Sequence, residues 1–446
     1  MHGMIRIVRL TTEQLSSMPR ASNPFKRMSN KSQIIVKPVR DHFRSRMVHT
    51  FEVREIAVAI GKALDLNTEL ISAIALGHDL GHAPFGHAGE RALQKTVRRE
   101  AETYLGLSPG RNTPDRSWFH HASNSARILA IWLGRSLDEQ EMTPETIRGA
   151  AKHSWSPWQR KTSNPVPTTY EAQAVAIADQ LAGINHDTED ILNARSYIGL
   201  HPEDLRRELT KVAAKYAEQK KIQHLADRLL LDDKNRAFGR KQRIEYFISE
   251  IAEKTKEDFE KNKPSRQDAS LKPISVPDVS GKFLYCYETA IRSIIHRETW
   301  FVGRDSMAEA MVTTVFNHFW PEVKNLPVDS TGGLFRTNDK MEEQAKGLVI
   351  KYLDHFNDSF GRHYLEQAER KYEIGKEIKL LEELAVTTWT SFLYMRVMKK
   401  IKSKGREPMK KKLTRLIAVV DFISGLRACP TNHLAALVPD SYTIFI

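Results

Sequence analysis

The chain has 446 residues, and its content of 41% hydrophobic and 28% charged residues is typical of a globular protein that can bury a substantial core. Lysine and arginine outnumber the acidic residues 68 to 55, for a formal charge of +13, which favours a polyanionic partner such as a nucleoside phosphate, a nucleic acid or an anionic membrane face. The sequence predicts neither a signal peptide nor a membrane-spanning helix, because no apolar run approaches the roughly 18 residues that a membrane span needs.

Hydrophobic residues recur at three- and four-residue steps through most of the chain, and this spacing predicts an all-α fold. Thr68 is expected to cap the second helix, and Thr143 is expected to cap a helix that begins at Pro144. The predicted helices lie at 47–66, 69–79, 89–105, 118–134, from 144 onward, and 168–194, with charged helices and short breaks after 199. The only short strand candidate is 32–38, and 261–281 is predicted to be a linker.

The most informative segment is "LGHDLGHAPFGHAGE", which places three histidines and two acids among four glycines. Its apolar surroundings predict burial, and buried ionisable groups are costly unless they pair with one another or bind a metal. Imidazole combined with carboxylate suits manganese, iron or zinc better than calcium, which prefers oxygen ligands alone. The segment therefore predicts either a buried ionic network or a divalent metal site.

Two further candidates lie outside that segment. His49 lies early in the preceding predicted helix. Asp179 lies within an apolar helix, where an acid is expected to pair with an arginine or to bind an ion. Asp187 follows about two helical turns later, so that its carboxylate projects to nearly the same face as that of Asp179.

Taken together, these motifs carry a family resemblance. The blocks "RMVHT", "GHDLGHAPFGHAGE" and "AIADQLAGINHD" resemble those of the HD-domain phosphohydrolases, whose ligand set reads H…HD…D. More narrowly, "FKRMSNKSQIIVKPVRDHFRSRMVHTFEV", "FHHASNSARIL" and "VVDFISGLRA" are similar to the dGTPase-type deoxynucleoside triphosphate triphosphohydrolases. These blocks extend over nearly the whole chain, and they imply an HD-domain helical core with additional C-terminal helices.

The resemblance also implies a domain organisation and a role for each matching residue. Residues 1–45 form an N-terminal arm of the substrate pocket, 46–200 the catalytic core, and 201–446 a helical region packed on that core. The implied metal ligands are His49, His78, Asp79 and Asp179, and the implied catalytic pair is His87 with Glu90. The implied substrate-binding residues are Arg46, His82 and His121 for the phosphates and Gln33 and Asp187 for the deoxyribose. The implied cofactor is a divalent ion (Mn²⁺, Mg²⁺ or Fe²⁺, with Zn²⁺ also compatible).

Some positions depart from the family pattern or receive no role. Gly183 stands where the family has a tyrosine beside the sugar, and Ala122 and Asn124 replace an asparagine and a glutamine. His153 receives no role from the resemblance, and we interpret it as structural. These differences bear on the choice of substrate, because the implied metal and proton-transfer residues are intact.

The resulting hypothesis is metal-dependent hydrolysis of deoxynucleoside triphosphates to deoxynucleoside and tripolyphosphate. A metal-dependent phosphodiesterase or nuclease and a non-enzymatic nucleotide or nucleic-acid sensor remain as alternatives. The resemblance suggests a homo-oligomer (a tetramer or hexamer) and is compatible with an allosteric nucleotide, and the basic surface is compatible with single-stranded nucleic acid. No membrane partner is expected. Two distant cysteines, Cys286 and Cys429, match no disulfide or zinc pattern and favour a cytoplasmic location.

Overall fold

The computed structural model of the chain describes the following residues: 23–31, 45–108, 110, 113–133, 142–159, 164–198, 202–229, 236–262, 272–325, 378–379, 381–382, 386–401 and 406–425. Across these ranges the chain forms α-helices and short 3₁₀ or π-helical turns, and no β-strand. The predicted all-α class is therefore confirmed. The strand candidate at 32–38, Gln33 and Cys429 lie outside the described residues.

The α-helices of the described ranges are, in chain order, α1 (Asn23–Arg27), α2 (Arg46–Ala63), α3 (Thr68–Gly77), α4 (His87–Thr103), α5 (His121–Arg127), α6 (Pro144–Lys152), α7 (Tyr170–Ile198), α8 (Pro202–Ala213), α9 (Gln219–Leu229), α10 (Arg236–Asn262), α11 (Asp278–Arg297), α12 (Thr299–Asn325), α13 (Trp389–Lys400) and α14 (Arg406–Ser424). No helix of these ranges combines the length and the apolar character that crossing a membrane would require.

The helix starts follow local capping chemistry, with one correction to the prediction. The predicted cap at Thr143 is confirmed, since its side chain accepts a hydrogen bond from the Thr146 amide and Pro144 is the first helical residue. At α3, however, the cap is Asn67, whose Oδ1 atom accepts from two amides of the first turn at 3.0 and 3.1 Å. Thr68 is the first helical residue there.

Two predicted boundaries also change. The predicted helix 118–134 is helical only from His121, and after Arg127 it widens into a π-helical turn over Ile128–Leu133. The predicted linker 261–281 is helical at both ends, because α10 continues to Asn262 and α11 begins at Asp278.

Three apolar clusters hold the described helices together. The largest is shared by α2, α3 and α7 with α8–α11, the second by α4 with α12–α14, and the third by α3, α5 and α6 with α1. The loop between α3 and α4 contributes Leu80 to the third cluster and Phe85 to the second. Packing on both sides thus fixes the position of the histidine-rich segment. The domain boundaries at 45 and 200 stay predictions.

The N-terminal segment connects this loop to the last described helix. Buried Lys31 donates to the carbonyl oxygen of His82 and, at 3.0 Å, to that of Ser424. Arg27 donates to the carbonyl oxygen of Gly425 at 2.8 Å. Both side chains donate to carbonyl groups at the C-terminal end of α14, which the helix itself leaves unpaired.

Candidate active site

The chain turns sharply between α3 and α4, and glycine permits this close packing. A Cβ atom at Gly81 would lie 2.2 Å from the Ser125 nitrogen and 2.4 Å from the His121 carbonyl oxygen. The Gly81 amide donates to Ser125 Oγ at 2.8 Å, and Asn124 Nδ2 donates to the Gly81 carbonyl at 3.0 Å. The absence of a side chain at Gly81 therefore brings the N-terminus of α5, with His121, against the histidine-rich loop.

The four predicted metal ligands come together from three segments. Nε2 of His49 lies 2.8 Å from Oδ1 of Asp179 and 3.9 Å from Oδ2 of Asp79. Nε2 of His78 lies 3.5 Å from Oδ2 of Asp79 and 3.6 Å from Oδ1 of Asp179. The side chains of His49, His78 and Asp79 are buried, whereas that of Asp179 is 23% exposed. Each of the two histidine nitrogens thus lies within 4 Å of an oxygen of both carboxylates, and Asp179 is the partly exposed member.

The hydrogen bonds of His78 show that this donor set fits a cation. Its Nδ1 atom donates to the Ala75 carbonyl at 2.6 Å, so in the neutral ring the buried Nε2 atom carries a lone pair. Nε2 has no hydrogen-bond partner among the described residues, yet it faces the two carboxylates. A lone pair and two carboxylates around one point suit a divalent ion, and a carbonyl partner on the other ring nitrogen is typical of metal-binding histidines.

The two carboxylates are held ionised. Burial alone would raise the pKa of Asp79, but the charges of His78 and Arg46 hold it well below its usual range. Burial would likewise raise the pKa of Asp179, but the hydrogen bond from His49 and the charge of His78 hold it well below that range. Burial works to lower the pKa of His78, while the neighbouring carboxylates raise it to about 9. The cluster therefore requires a positive charge among its members or bound to them.

A second group lies directly beside the first. Glu90, at the start of α4, accepts hydrogen bonds from the His121 amide at 3.0 Å and from Nδ1 of His121 at 3.0 Å. Nδ1 of His87 lies 3.0 Å from the same carboxylate. Burial would raise the pKa of Glu90, but His121 and His87 hold it well below its usual range. The predicted catalytic pair is thus in contact and is joined to His121.

His82 connects the two groups. Its ring stacks on that of His121 with 3.9 Å between the ring centroids, and its Nε2 atom lies 3.2 Å from Oδ1 of Asp79. Burial, followed by the charge of Arg46, lowers the pKa of His82 well below its ordinary value. Buried Arg46 itself forms an ion pair with Oδ2 of Asp79. The predicted phosphate-side residues thus surround the carboxylate of Asp79.

Sequence reasoning left His153 outside the site, and the structure corrects this. Its Nε2 atom lies 3.2 Å from Nε2 of His121 and 3.6 Å from Oδ1 of Asp79, and the ring is buried. Like His78, it follows an alanine by three residues at a helix end and donates from Nδ1 to that alanine's carbonyl, here Ala150 at 2.7 Å. This repeated Ala-x-x-His pattern is the signal that could have found it. His186, 3.1 Å from His49 between their Nδ1 atoms, was also missed.

Three positions singled out from the sequence remain: Gln33, Asp187 and Gly183. Gln33 lies outside the described residues. Asp187 is half-buried on α7, where its Oδ1 atom lacks a hydrogen-bond partner among the described residues. Burial, together with the charge of Asp190, raises the pKa of Asp187 well above its usual range. At Gly183, a Cβ atom would meet no described atom within 4 Å, so the space beside α7 is open there.

Comparison with known proteins agrees with this geometry. A model of the HD domain matches residues 46–184, the region that contains the four predicted metal ligands and the His87–Glu90 pair. Proteins named deoxyguanosinetriphosphate triphosphohydrolase-like are similar in sequence. One from Caldanaerobacter subterraneus subsp. tengcongensis is 37% identical over 193 residues, covering 43% of this chain and 48% of the relative. One from Desulfatibacillum aliphaticivorans is 35% identical over 175 residues, covering 39% and 44%.

A third relative extends the similarity beyond the HD domain. The protein of the same name from Bradyrhizobium sp. (strain ORS 278) is 30% identical over 365 residues, which cover 74% of this chain and 84% of the relative. By contrast, the chain spans about half the length of the first two relatives. The similarity to the Bradyrhizobium protein therefore extends beyond the HD-domain region into residues that follow it.

Proposed function

The chain belongs to the family of HD-domain deoxyguanosinetriphosphate triphosphohydrolase-like proteins, and from this premise we propose that it hydrolyses deoxynucleoside triphosphates to deoxynucleoside and tripolyphosphate. At the coarser level it is an HD-type hydrolase whose His/Asp cluster fits a divalent metal. One observation carries the finer proposal: a His/Asp cluster lies beside exposed His87, which is paired with buried Glu90. The first suits a metal ion and the second suits proton transfer.

In this proposal His49, His78, Asp79 and Asp179 hold a divalent ion, for which Mn²⁺, Mg²⁺ and Fe²⁺ are the first candidates. When bound, such an ion neutralises phosphate charge and polarises the phosphorus centre. Buried Arg46, with His82 and His121 beside it, supports a phosphate-binding role for this side of the cluster. Gln33 and Asp187 are proposed to contact the deoxyribose. A carboxyl whose pKa is raised, as at Asp187, suits hydrogen bonding to a neutral hydroxyl group.

Proton transfer falls to His87. Hydrolysis at the α-phosphorus breaks the bond to the 5′ oxygen, so the attacking water must lose a proton and the departing deoxynucleoside must gain one. The exposed ring of His87 can reach a substrate, and Glu90 fixes its orientation through Nδ1. Imidazole can accept and donate a proton, and cleavage of the bond to the 5′ oxygen leaves the tripolyphosphate intact.

Identification of the products tests the proposal most directly. The purified protein is incubated with each of the four deoxynucleoside triphosphates and added Mn²⁺ or Mg²⁺, and the products are separated by anion-exchange chromatography. We expect deoxynucleoside with tripolyphosphate, and slower reaction with ribonucleotides. Monophosphate with pyrophosphate would contradict the cleavage position. Degradation of an oligonucleotide with untouched nucleotides would favour the nuclease alternative, and no turnover with any metal would favour the sensor.

Three partner predictions accompany the proposal. The first is a homo-oligomer of four or six chains, which light scattering of the purified protein measures directly. The second is an allosteric nucleotide, which would appear as a sigmoidal dependence of rate on substrate concentration. A basic surface patch for single-stranded nucleic acid is a third proposal, tested by fluorescence anisotropy with a labelled oligonucleotide at two salt concentrations.

A further inference from the structure

We propose that Glu52 and His186 form a relay that holds His49 in the tautomer able to bind a metal ion. Nδ1 of His186 lies 3.1 Å from Nδ1 of His49, and Nε2 of His186 contacts the carboxylate of Glu52. The three side chains thus lie in series behind the predicted metal site. Neither Glu52 nor His186 receives a role from the sequence motifs, and the relay makes both of them positioning residues.

The packing of α2 along α7 brings the three residues together. His49 and Glu52 are three residues apart on α2, so their side chains lie on one face of that helix. His186 follows Asp179 by about two turns of α7, so α7 contacts both ring nitrogens of His49: Asp179 at Nε2 and His186 at Nδ1. The two imidazole rings are buried, whereas Glu52 is 24% exposed.

The carboxylate of Glu52 sets the tautomers of both rings. An ionised carboxylate only accepts hydrogen bonds, so Nε2 of His186 carries a proton where it meets Glu52. In the neutral ring Nδ1 of His186 is then a lone pair, which accepts from Nδ1 of His49 at 3.1 Å. His49 therefore keeps a proton on Nδ1, and its Nε2 atom is the one left for Asp179 or for a metal ion.

The opposite arrangement shows what the relay disfavours. If His186 donated from Nδ1, the proton of neutral His49 would lie on Nε2, directed at Oδ1 of Asp179 at 2.8 Å. That nitrogen would then have no lone pair for a metal ion. His186 would also turn the lone pair of its own Nε2 atom towards the Glu52 carboxylate, and the two would repel. The negative charge of Glu52 thus selects the tautomer of His49 that can bind metal.

The position of His49 within its helix explains why the outer partner comes from α7. His78 lies at the end of α3, where its Nδ1 atom donates to the carbonyl three residues earlier, that of Ala75. The corresponding carbonyl for His49 is that of Arg46, which accepts from Oγ1 of Thr50 at 3.0 Å. His49 therefore needs a side-chain acceptor. An outer partner that ends in a carboxylate orients a metal-binding imidazole and raises its basicity.

This inference rests on the proposed function only in placing a metal ion at His49, and metal affinity tests it without turnover. Metal-free protein is titrated with MnCl₂, and free Mn²⁺ is followed by electron paramagnetic resonance. Loss of an outer partner typically weakens metal binding by about 10–100-fold, and we expect that loss in His186→Leu. His224→Leu, at an exposed histidine of α9, is the matched control and should bind Mn²⁺ like the wild type.

His186→Asn distinguishes a hydrogen-bond acceptor from a packing residue. The Oδ1 atom of asparagine takes the place of Nδ1 and can accept from His49, although asparagine fills the buried space less well than leucine. We expect His186→Asn to recover most of the Mn²⁺ affinity that His186→Leu loses. A purely structural role would give the opposite order, with the leucine variant closer to the wild type.

The outcomes separate the relay from the proposed function. Wild-type affinity in His186→Leu, or equal losses in the leucine and asparagine variants, would overturn the relay and leave the proposed function standing. Should His186→Leu fail to fold by circular dichroism, Glu52→Leu is compared with Glu52→Gln, whose amide oxygen still accepts from His186. Equal Mn²⁺ affinity of these two would overturn the relay. No Mn²⁺ binding by the wild type would contradict both proposals, whereas products other than tripolyphosphate would contradict the function alone.

Discussion

His87 and Glu90 are in direct contact across the first turn of α4, with 3.0 Å between Nδ1 and Oε2. The two side chains differ sharply in environment: that of His87 is 59% exposed and that of Glu90 only 6%. Because the carboxylate accepts the Nδ1 proton, the neutral ring of His87 presents the lone pair of Nε2 to solvent. This is the arrangement that a general acid or base requires, with one nitrogen fixed and the other free to exchange a proton.

The first prediction follows from that contact. His87→Ala should lower kcat by about 10²–10⁴-fold, the usual loss when a general acid or base is removed, while substrate affinity and metal content stay at wild-type values. Steady-state kinetics combined with elemental analysis measure all three. His296→Ala, an exposed histidine on α11, is the matched control. Wild-type turnover in His87→Ala would assign the proton transfer to another group, such as His82 or His121.

Gly183 provides the second prediction. A Cβ atom there would meet no described neighbour within 4 Å, so we expect space beside the sugar and weak discrimination among bases. The kcat/KM values for the four deoxynucleoside triphosphates should lie within roughly 100-fold of one another, which corresponds to about 2.7 kcal/mol. Gly183→Tyr should fill the space and widen that spread, whereas Gly303→Ala, at an equally open glycine of α12, should leave it unchanged. A wild-type preference above 100-fold for one base contradicts the prediction.

From the sequence we could name most of the residues that lie together in the site, but not all of them. Histidines and acids close together in sequence, such as His78 and Asp79, were recognisable because clustered ionisable groups in apolar surroundings must pair or bind an ion. The assignment of His49 and Asp179 to the same site came from the family resemblance. His153 escaped notice because its relation to the site depends on how α6 packs against α5, which the local sequence does not encode.

The fold shows the same division between local and non-local information. Hydrophobic spacing predicted the long helices, since it reflects which face must be buried. The sequence did not distinguish the adjacent capping candidates Asn67 and Thr68, because the cap is the residue whose backbone dihedrals are not yet helical. The π-helical turn after Arg127 was also missed, because hydrophobic spacing over so short a segment does not distinguish a π-helical turn from an α-helix.

Gly81 provides the third prediction. Gly81→Ala would place a carbon atom 2.2 Å from the Ser125 nitrogen and 2.4 Å from the His121 carbonyl oxygen, and neither backbone atom can move without displacing α5. We expect the variant to lose more than tenfold in kcat and to unfold at a lower temperature than the wild type, because His121 would move away from Glu90. Gly303→Ala is the control for added side-chain bulk in a helix and should be neutral or slightly stabilising. Unchanged activity and melting temperature in Gly81→Ala would show that the loop and α5 do not need this close approach.

The last prediction concerns Arg127 and Asp421, which join the C-terminal end of α5 to α14. The ion pair has two hydrogen bonds, one of them 2.8 Å from Nη2 to Oδ2, and the side chains are 0% and 6% exposed. Removing one member of a buried pair leaves the other charge without compensation, which costs about 3–5 kcal/mol. Arg127→Met should therefore lower the free energy of unfolding by about that amount, measured by urea denaturation at a fixed metal concentration.

The matched control, Arg98→Met, removes an exposed pair with Glu102 (46% and 41% exposed) and should cost less than about 1 kcal/mol. The double variant Arg127→Met/Asp421→Leu replaces the pair by apolar side chains and should recover part of the loss. Equal stability of Arg127→Met and Arg98→Met would mean that this link does not hold α14 against the catalytic region.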